Sequence, residues 1–583
     1  MPAAHYRKLF ILLFACLFLY SSRADAQSSL DPAQLPSRTL FYFLWRGTPP
    51  PESRKKNALL SLWDDPEFAP VRSALFQSMT ANSSKETPST ALSSEEAIEY
   101  STLLDNAFLI GFMGEPKPHR SPAVATATAS TPWNGVFLIY DRSGKEALLA
   151  KALLRSRAQG NEIPKLTPFL VAGIPALKSE TKSGSAYWAE TGKFAVSAKE
   201  RSVFEEILTR VAGKSTDSFT LAQNTYYQEA IPTLGKGFIE AFLRVGDLRE
   251  IIDTSAPSNA QVATILDAVK LNSLHSLAFH VSLEGARTRV QGSLLGDTSK
   301  GTLFDIFSEG QQNPPSFAFL TPETVYFQET ELNLLGMYDT LNRILRAFAP
   351  NPQGGTDMLD ALAKQRLGMP LQEALTIVTG EFGSLQTSPV LDPNKQTYFF
   401  GIHKKPEALK LLRTIFAERI TSERNEDSVT YLKISLQANQ SSAGVAQWHF
   451  YHLAVTPNII LGAAQSESLR AVLVAKPLAT AATPFPNAPA LLAIRAQYPD
   501  KIHAFNYSDF QKLDWPVLKQ TFLEYLKTTS NNRPADAKAT PLPQEPPAWL
   551  IWLNPQIIPR HLHTTSSASW KDAKGVHFDE WLE

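Results

Sequence analysis

The chain has 583 residues, 43% of them hydrophobic and 19% charged, with 56 Lys and Arg against 56 Asp and Glu. That length exceeds a single hydrophobic core, and the apolar fraction excludes a chain disordered throughout. Zero formal charge excludes a chain built as a basic nucleic-acid binder, so no nucleic-acid partner is expected.

Arg7 and Lys8 precede an apolar run over residues 9–20, and Ala24 and Ala26 form a small-x-small site before Gln27. These are the three parts of a secretory signal, so residues 1–26 are read as a signal peptide cleaved after Ala26. Twelve apolar residues rise only about 18 Å as a helix, short of the ~30 Å hydrocarbon core. No later segment is apolar for long enough, so no transmembrane segment is expected after cleavage, and the mature chain is expected in the periplasm or secreted. The single cysteine, Cys16, lies inside the apolar run. The mature chain therefore has no thiol, which excludes disulfides, a cysteine nucleophile and Cys-ligated metal.

In chain order, residues 38–43 follow Pro36 and read as a first strand. Ser53-x-x-Lys56, with 182–184 further on, imitates a penicillin-recognising serine site. Lys56 sits in the basic run 54–56, however, and a surface helix is the better reading. Residues 136–154 read as strand, turn at Gly144 and amphipathic helix, and 194–208 as strand, short turn and helix. Gly213–Lys214–Ser215 resembles the end of a phosphate loop, but Leu208 stands where its first glycine belongs. A helix C-cap at Gly213 fits better. Residues 277–294 alternate as a hairpin turning at Glu284 and Gly285.

Residues 309–315 are a linker by composition. Beyond it, 323–327 follow Pro322 as a strand, 397–415 repeat the strand–turn–helix pattern with Pro406 in the turn, and 459–473 do so again. Residues 569–582 form a closing hairpin with Lys574 and Gly575 at its turn. The segment 146–148 matches 407–409 at an offset of 261, 194–208 matches 459–473 at 265, and Ala241–Phe242 matches Ala504–Phe505 at 263. Asp247 and Asp509 follow the last pair as helix-cap candidates. Residues 80–96, 116–132, 475–489 and 528–547 are rich in Ser, Thr, Ala and Pro and read as peripheral insertions.

The ordered matches predict an α+β fold of two tandem homologous repeats, each an antiparallel sheet with helices packed on one face. The first repeat spans 27–308 and the second 316–583, forming separate lobes. With the signal peptide, Leu35–Pro36 before the first strand and the closing hairpins, the chain resembles an exported bacterial protein family of unknown function with an internally duplicated α+β unit. That resemblance implies location and fold and assigns no catalytic residue.

For chemistry, His561 and His563 are two apart on an expected strand, with His577 in the following hairpin strand; they are the candidate metal ligands, in a chain for which no metal or cofactor is otherwise expected. His449 and His452 lie three apart and share a face only if helical. Glu381, in an apolar setting, and its counterpart Asp105 are candidate half-buried acids. The sequence supports a non-catalytic binding or envelope-organising protein, its ligand an envelope protein, a peptide or a carbohydrate. The alternative is a hydrolase or metal-dependent enzyme centred near His561 and His563.

Overall fold

The computed structural model describes residues 30–74, 102–114, 135–151, 165–181, 184–235, 237–247, 264, 266–348, 354–390, 395–437, 448–474, 489–520, 523–524 and 553–583. Residues 1–26, read above as a signal peptide, and residues 80–96, 116–132, 475–488 and 528–547 lie outside them.

Among the described residues twenty strands are formed. The first ten are β1 (Thr39–Trp45), β2 (Phe108–Met113), β3 (Val136–Asp141), β4 (Lys165–Val171), β5 (Ile174–Thr181), β6 (Gly184–Thr191), β7 (Phe194–Ala198), β8 (Ile239–Leu243), β9 (Leu274–Glu284) and β10 (Arg287–Gly296). The second ten are β11 (Tyr326–Glu331), β12 (Val378–Gln386), β13 (Thr397–Ile402), β14 (Ile420–Glu426), β15 (Val429–Gln437), β16 (Trp448–Val455), β17 (Ile459–Ala463), β18 (Ala504–Asp509), β19 (Thr564–Lys571) and β20 (Gly575–Leu582). Every pairing is antiparallel. Together they string the strands into one sheet in the order β4-β5-β6-β7-β3-β2-β1-β8-β9-β10-β20-β19-β18-β11-β12-β13-β17-β16-β15-β14.

This corrects the expected architecture. Two tandem repeats with separate sheets are not what forms. β10 and β20 pair from Thr288↔Leu582 to Leu295↔Gly575, making the sheet continuous through the middle of the molecule. Cross-strand chemistry explains the join. Gly292 faces Phe578, and a Cβ at Gly292 would lie 1.9 Å from that ring, so only glycine admits it. Read inward from either edge, the strands follow the same chain order; that is a statement about connectivity, and as a fold the molecule is a single sheet.

The helices do not form a layer on one face either. Helix α1 (Pro51–Lys56) adjoins α2 (Ala58–Asp64), and α2 packs against Ile557 and Leu562 near the C-terminus. Helix α3 (Arg201–Val211) covers β3, β4, β6 and β7 through Val203, Phe204, Ile207 and Leu208, all buried. The helices Leu334–Phe348 and Gly354–Leu367 pack on each other. Leu335, Met337, Leu341 and Leu362 on them stay exposed, and sequence periodicity alone does not distinguish helix–helix packing from packing on a sheet.

Within the stretch read as a linker, Glu309, Gln312 and Asn313 are exposed and Pro314 is buried. Gln311 bridges Ile502, and Pro315–Phe319 is a 3-10 turn whose Phe317 lies 5.7 Å from both the Phe327 and the Phe505 ring. Among the described residues no helix is long and apolar enough to cross a membrane.

Candidate binding site

The histidines expected to gather a metal are held apart by other partners. His561 ends the short helix Ile558–His561 rather than lying on a strand. Its Nδ1 is 2.8 Å from Ser61 Oγ on α2, and its Nε2 is 2.9 Å from Asp65 Oδ2 just beyond that helix. His563 is exposed, and its backbone N–H donates to the Glu583 carbonyl at 2.6 Å. His577, on β20, has Nδ1 2.6 Å from Ser293 Oγ and Nε2 3.1 Å from Asp572 Oδ1, and stacks on Trp570. Both ring nitrogens of His561 are thus engaged, and His577 is held by Ser293 with the Asp572 carboxylate beside its Nε2. Among the described residues no group of three His, Cys, Asp or Glu side chains is arranged to hold a metal ion.

Ser61, His561 and Asp65 have the residue types of an acyl-transfer triad, but their geometry is that of a structural tie. The aspartate sits on Nε2 and the serine on Nδ1, the reverse of the arrangement in which a carboxylate orients the base. The Ser61 hydroxyl donates to the Ala58 carbonyl at 2.9 Å, and its backbone N–H is taken by the Asn57 carbonyl at 2.8 Å, leaving no oxyanion donor there. The same seam continues outward: Glu67 accepts from Arg560 at 2.7 Å and from Asn554 at 2.6 Å. The His561 hydrogen bond holds the Asp65 carboxyl below its usual range, and the Arg560 hydrogen bond does the same for Glu67.

The other singled-out motifs fall on surface or capping positions. Ser53 and Lys56 are exposed on α1, and Lys182 and Ser183 lie outside the described residues. Gly213 has φ +67° just past α3, and Lys214 Nζ donates to the Ala172 carbonyl at 3.0 Å, so the segment is a helix C-cap. His449 and His452 both lie on β16, which denies them the shared helical face a common ligand would require. Burial pushes the His452 pKa down.

The acids are more unusual than the sequence suggested. Glu381 on β12 accepts the Ser316 N–H at 3.0 Å and is paired across the sheet with Glu331. Glu329, two residues before Glu331 on β11, is fully buried with no partner on either carboxyl oxygen. Burial, reinforced by Glu381 and Glu331, holds the Glu329 pKa well above the ordinary range, and burial likewise raises that of Glu381. Asp105 is buried before β2, with Thr48 Oγ1 at 3.2 Å and Lys145 Nζ at 3.3 Å, and burial raises its pKa too. Glu329 and Glu331 share the parity of the core residue Phe327, which was the sequence signal for their burial. These acids are closed off from solvent and offer no surface to a substrate.

An open site lies at one end of the sheet. β4 and β5 are joined by Ala172 and Gly173 at φ +48° and +78°, the two positive angles of a type I′ hairpin turn. Along the meander β4–β5–β6, buried residues alternate at Ile174 and Ala176 on β5 and at Tyr187 and Ala189 on β6, while β4 is exposed on both faces from Lys165 to Pro168. On one face Val171, Ala176, Tyr187 and Ala189 are buried beneath α3. On the other, Leu166 is 43% and Leu170 70% exposed beside Pro168, Pro175, Leu177 and Trp188. The latter face forms a concavity of about 610 Å³ rimmed by Glu190. No family model, no curated protein and no solved structure matches the chain. The site is therefore read from its own chemistry.

That chemistry is apolar capture. Carboxylates, imidazoles and hydroxyls do not converge here, while large side chains remain in water. Single exposed apolar residues are ordinary, but a contiguous patch of this kind marks an interaction surface. Sequence reasoning missed β4–β6, because an Ala-Gly turn lacks the Asn-Gly or Asp-Gly signature.

Proposed function

We propose that this is an exported, non-catalytic binding protein of the periplasm or the cell exterior, which takes an apolar peptide stretch of an envelope protein on the outer face of β4–β6. The observation that carries the reading is the exposed pair Leu166 and Leu170, beside the half-buried Leu177 and Trp188, on the sheet face opposite α3. Burying such side chains yields about 25 cal/mol per Å² of apolar area, so a few of them suffice for selective binding. Export rests on Arg7, Lys8, the apolar run after them and the Ala24/Ala26 site.

Two measurements test it. Mass spectrometry of the native protein is expected to find a chain beginning at Gln27; recovery of intact Met1 on the mature protein overturns export. A photo-crosslinking residue placed at Leu177 in living cells is expected to give a discrete protein adduct that disappears with Trp188→Glu. The same crosslinker at the exposed Lys404 serves as background. Adducts no stronger at Leu177 than at Lys404 overturn the binding site, and an adduct that proves to be glycan replaces the peptide by a carbohydrate.

A further inference from the structure

Among the described residues, the two outermost strands of the sheet differ in kind. β14 reads Ile-Thr-Ser-Glu-Arg-Asn-Glu and is exposed and charged, with Glu423 held by Arg413 at 2.6 Å and Glu426 by Arg424 at 3.3 Å. Charge of this kind blunts a sheet edge against further pairing. β4 reads Lys-Leu-Thr-Pro-Phe-Leu-Val and carries exposed leucines instead.

The backbone of β4 can be assigned from its turn. In a two-residue hairpin the residues flanking the turn, Val171 and Ile174, form a hydrogen-bonded pair, and such pairs alternate along an antiparallel ladder. The register runs without a shift from Val171↔Ile174 to Lys165↔Glu180. Thr167, Phe169 and Val171 therefore bond inward to β5, while Leu166, Pro168 and Leu170 turn their backbone groups outward. Pro168 occupies the place where a strand edge tolerates proline, its missing N–H facing solvent. The edge thus offers two donors, from Leu166 and Leu170, and three carbonyl acceptors.

We propose that β4 is a strand-addition edge that accepts an extended, proline-free apolar segment of another protein in antiparallel alignment. The inference rests on the apolar-partner reading above and specifies how that partner binds. Leu166 and Leu170 supply the main-chain bonds and, on the same face, apolar neighbours for the partner's alternate side chains. Pro168 selects against a second copy of this chain. A two-fold centred on Pro168 would bring Leu166 opposite Leu170 of the other copy, which suits the side chains. Yet every self-register spanning Pro168 places two prolines in the ladder and loses two donors, whereas a proline-free partner loses one.

The test uses the full mature protein and two fluorescein-labelled heptapeptides, KLTVFLV and KLTPFLV, each with two added lysines for solubility. The first is the β4 sequence with valine in place of Pro168; the second is the native sequence. KLTVFLV is expected to bind saturably and KLTPFLV at least about fivefold more weakly, one hydrogen bond being worth about that factor. Pro168→Val in the protein is expected to tighten KLTVFLV binding by a similar factor and to introduce concentration-dependent dimerisation, with unchanged circular dichroism. Leu170→Pro is expected to weaken peptide binding at least about fivefold. Equal binding of the two peptides, no saturable binding of KLTVFLV, or a Pro168→Val protein that neither binds more tightly nor dimerises overturns the inference. A Leu177 crosslink that persists alongside such a result leaves the apolar face as the binding site and removes only the strand-addition mode.

Discussion

Arg289 on β10 grips the buried carboxylate of Asp579 on β20 at two points, Nε to Oδ1 at 3.0 Å and Nη2 to Oδ2 at 2.6 Å. The pair spans the central seam where the sheet might have divided. Its guanidinium also lies 4.6 Å from the Trp581 ring centroid, with Arg287 at 4.2 Å from the same ring. Position, charge and stacking all favour one register between β10 and β20.

Asp579→Asn is expected to destabilise the chain by about 1–3 kcal/mol. A buried pair broken at one partner costs about 3–5 kcal/mol, and Arg289 retains enough solvent contact to lower that figure. Urea unfolding of the purified protein measures it. A change within about 0.5 kcal/mol, the range of an ordinary surface substitution, shows that the seam is held by backbone pairing alone.

Because the seam is a full ladder, residues 27–308 and 316–583 produced as separate chains are expected to recombine on mixing into a one-to-one complex. Alone, 316–583 presents β20 as an unpaired edge and uncovers Ile557 and Leu562 from α2. Sedimentation of each chain and of the mixture checks this. A monomeric 316–583 melting as the whole protein does, and ignoring the other chain, contradicts it.

Glu329→Gln is expected to stabilise the protein at neutral pH by about 1–3 kcal/mol, because the amide is buried neutral without the proton uptake that the acid requires. The pH dependence has a definite sign. The folded pKa lies above the unfolded one, so folding takes up a proton. The Glu329 contribution is fully present below the ordinary glutamate pKa of about 4.3 and is lost as pH rises through the raised folded value. The gain from glutamine should therefore shrink as pH falls towards 4.3, followed as the difference in urea midpoint between variant and parent. A pH-independent difference rejects the protonated-acid account.

Ser61→Ala and His561→Ala are expected to lower stability by about 0.5–2 kcal/mol each, and the double variant by less than the sum, because both act on one tie. A fluorophosphonate probe is expected to leave Ser61 unlabelled. Labelling that His561→Ala abolishes would turn the tie into a nucleophile and its base.

Local elements were legible and long-range ones were not. Strands at Val136–Asp141, Phe194–Ala198, Thr397–Ile402 and Ile459–Ala463 form where short apolar runs before a turn placed them, and the helices Arg201–Val211, Lys405–Ile415 and Ser466–Val474 follow. Periodicity reports which face an element buries, and short turns restrict where the next element goes. It says nothing about which strand lies alongside at a separation of 290 residues, so Arg289 and Asp579 carried no visible relation. The Ser61–His561 contact, 500 residues apart, was hidden for the same reason. Glu329 and Glu331 looked solvent-facing by residue type, and only their parity with Phe327 argued otherwise.

The β10–β20 ladder also imposes a schedule on biosynthesis. All ten strands from β1 to β10 end by Gly296, whereas β20 begins at Gly575. At roughly 5–20 residues per second, the ribosome needs on the order of tens of seconds to supply the missing neighbour. For that interval β10 is a bare edge on an otherwise assembled half-sheet. Until residues 575–582 are made, the first half must be kept unfolded or shielded at that edge.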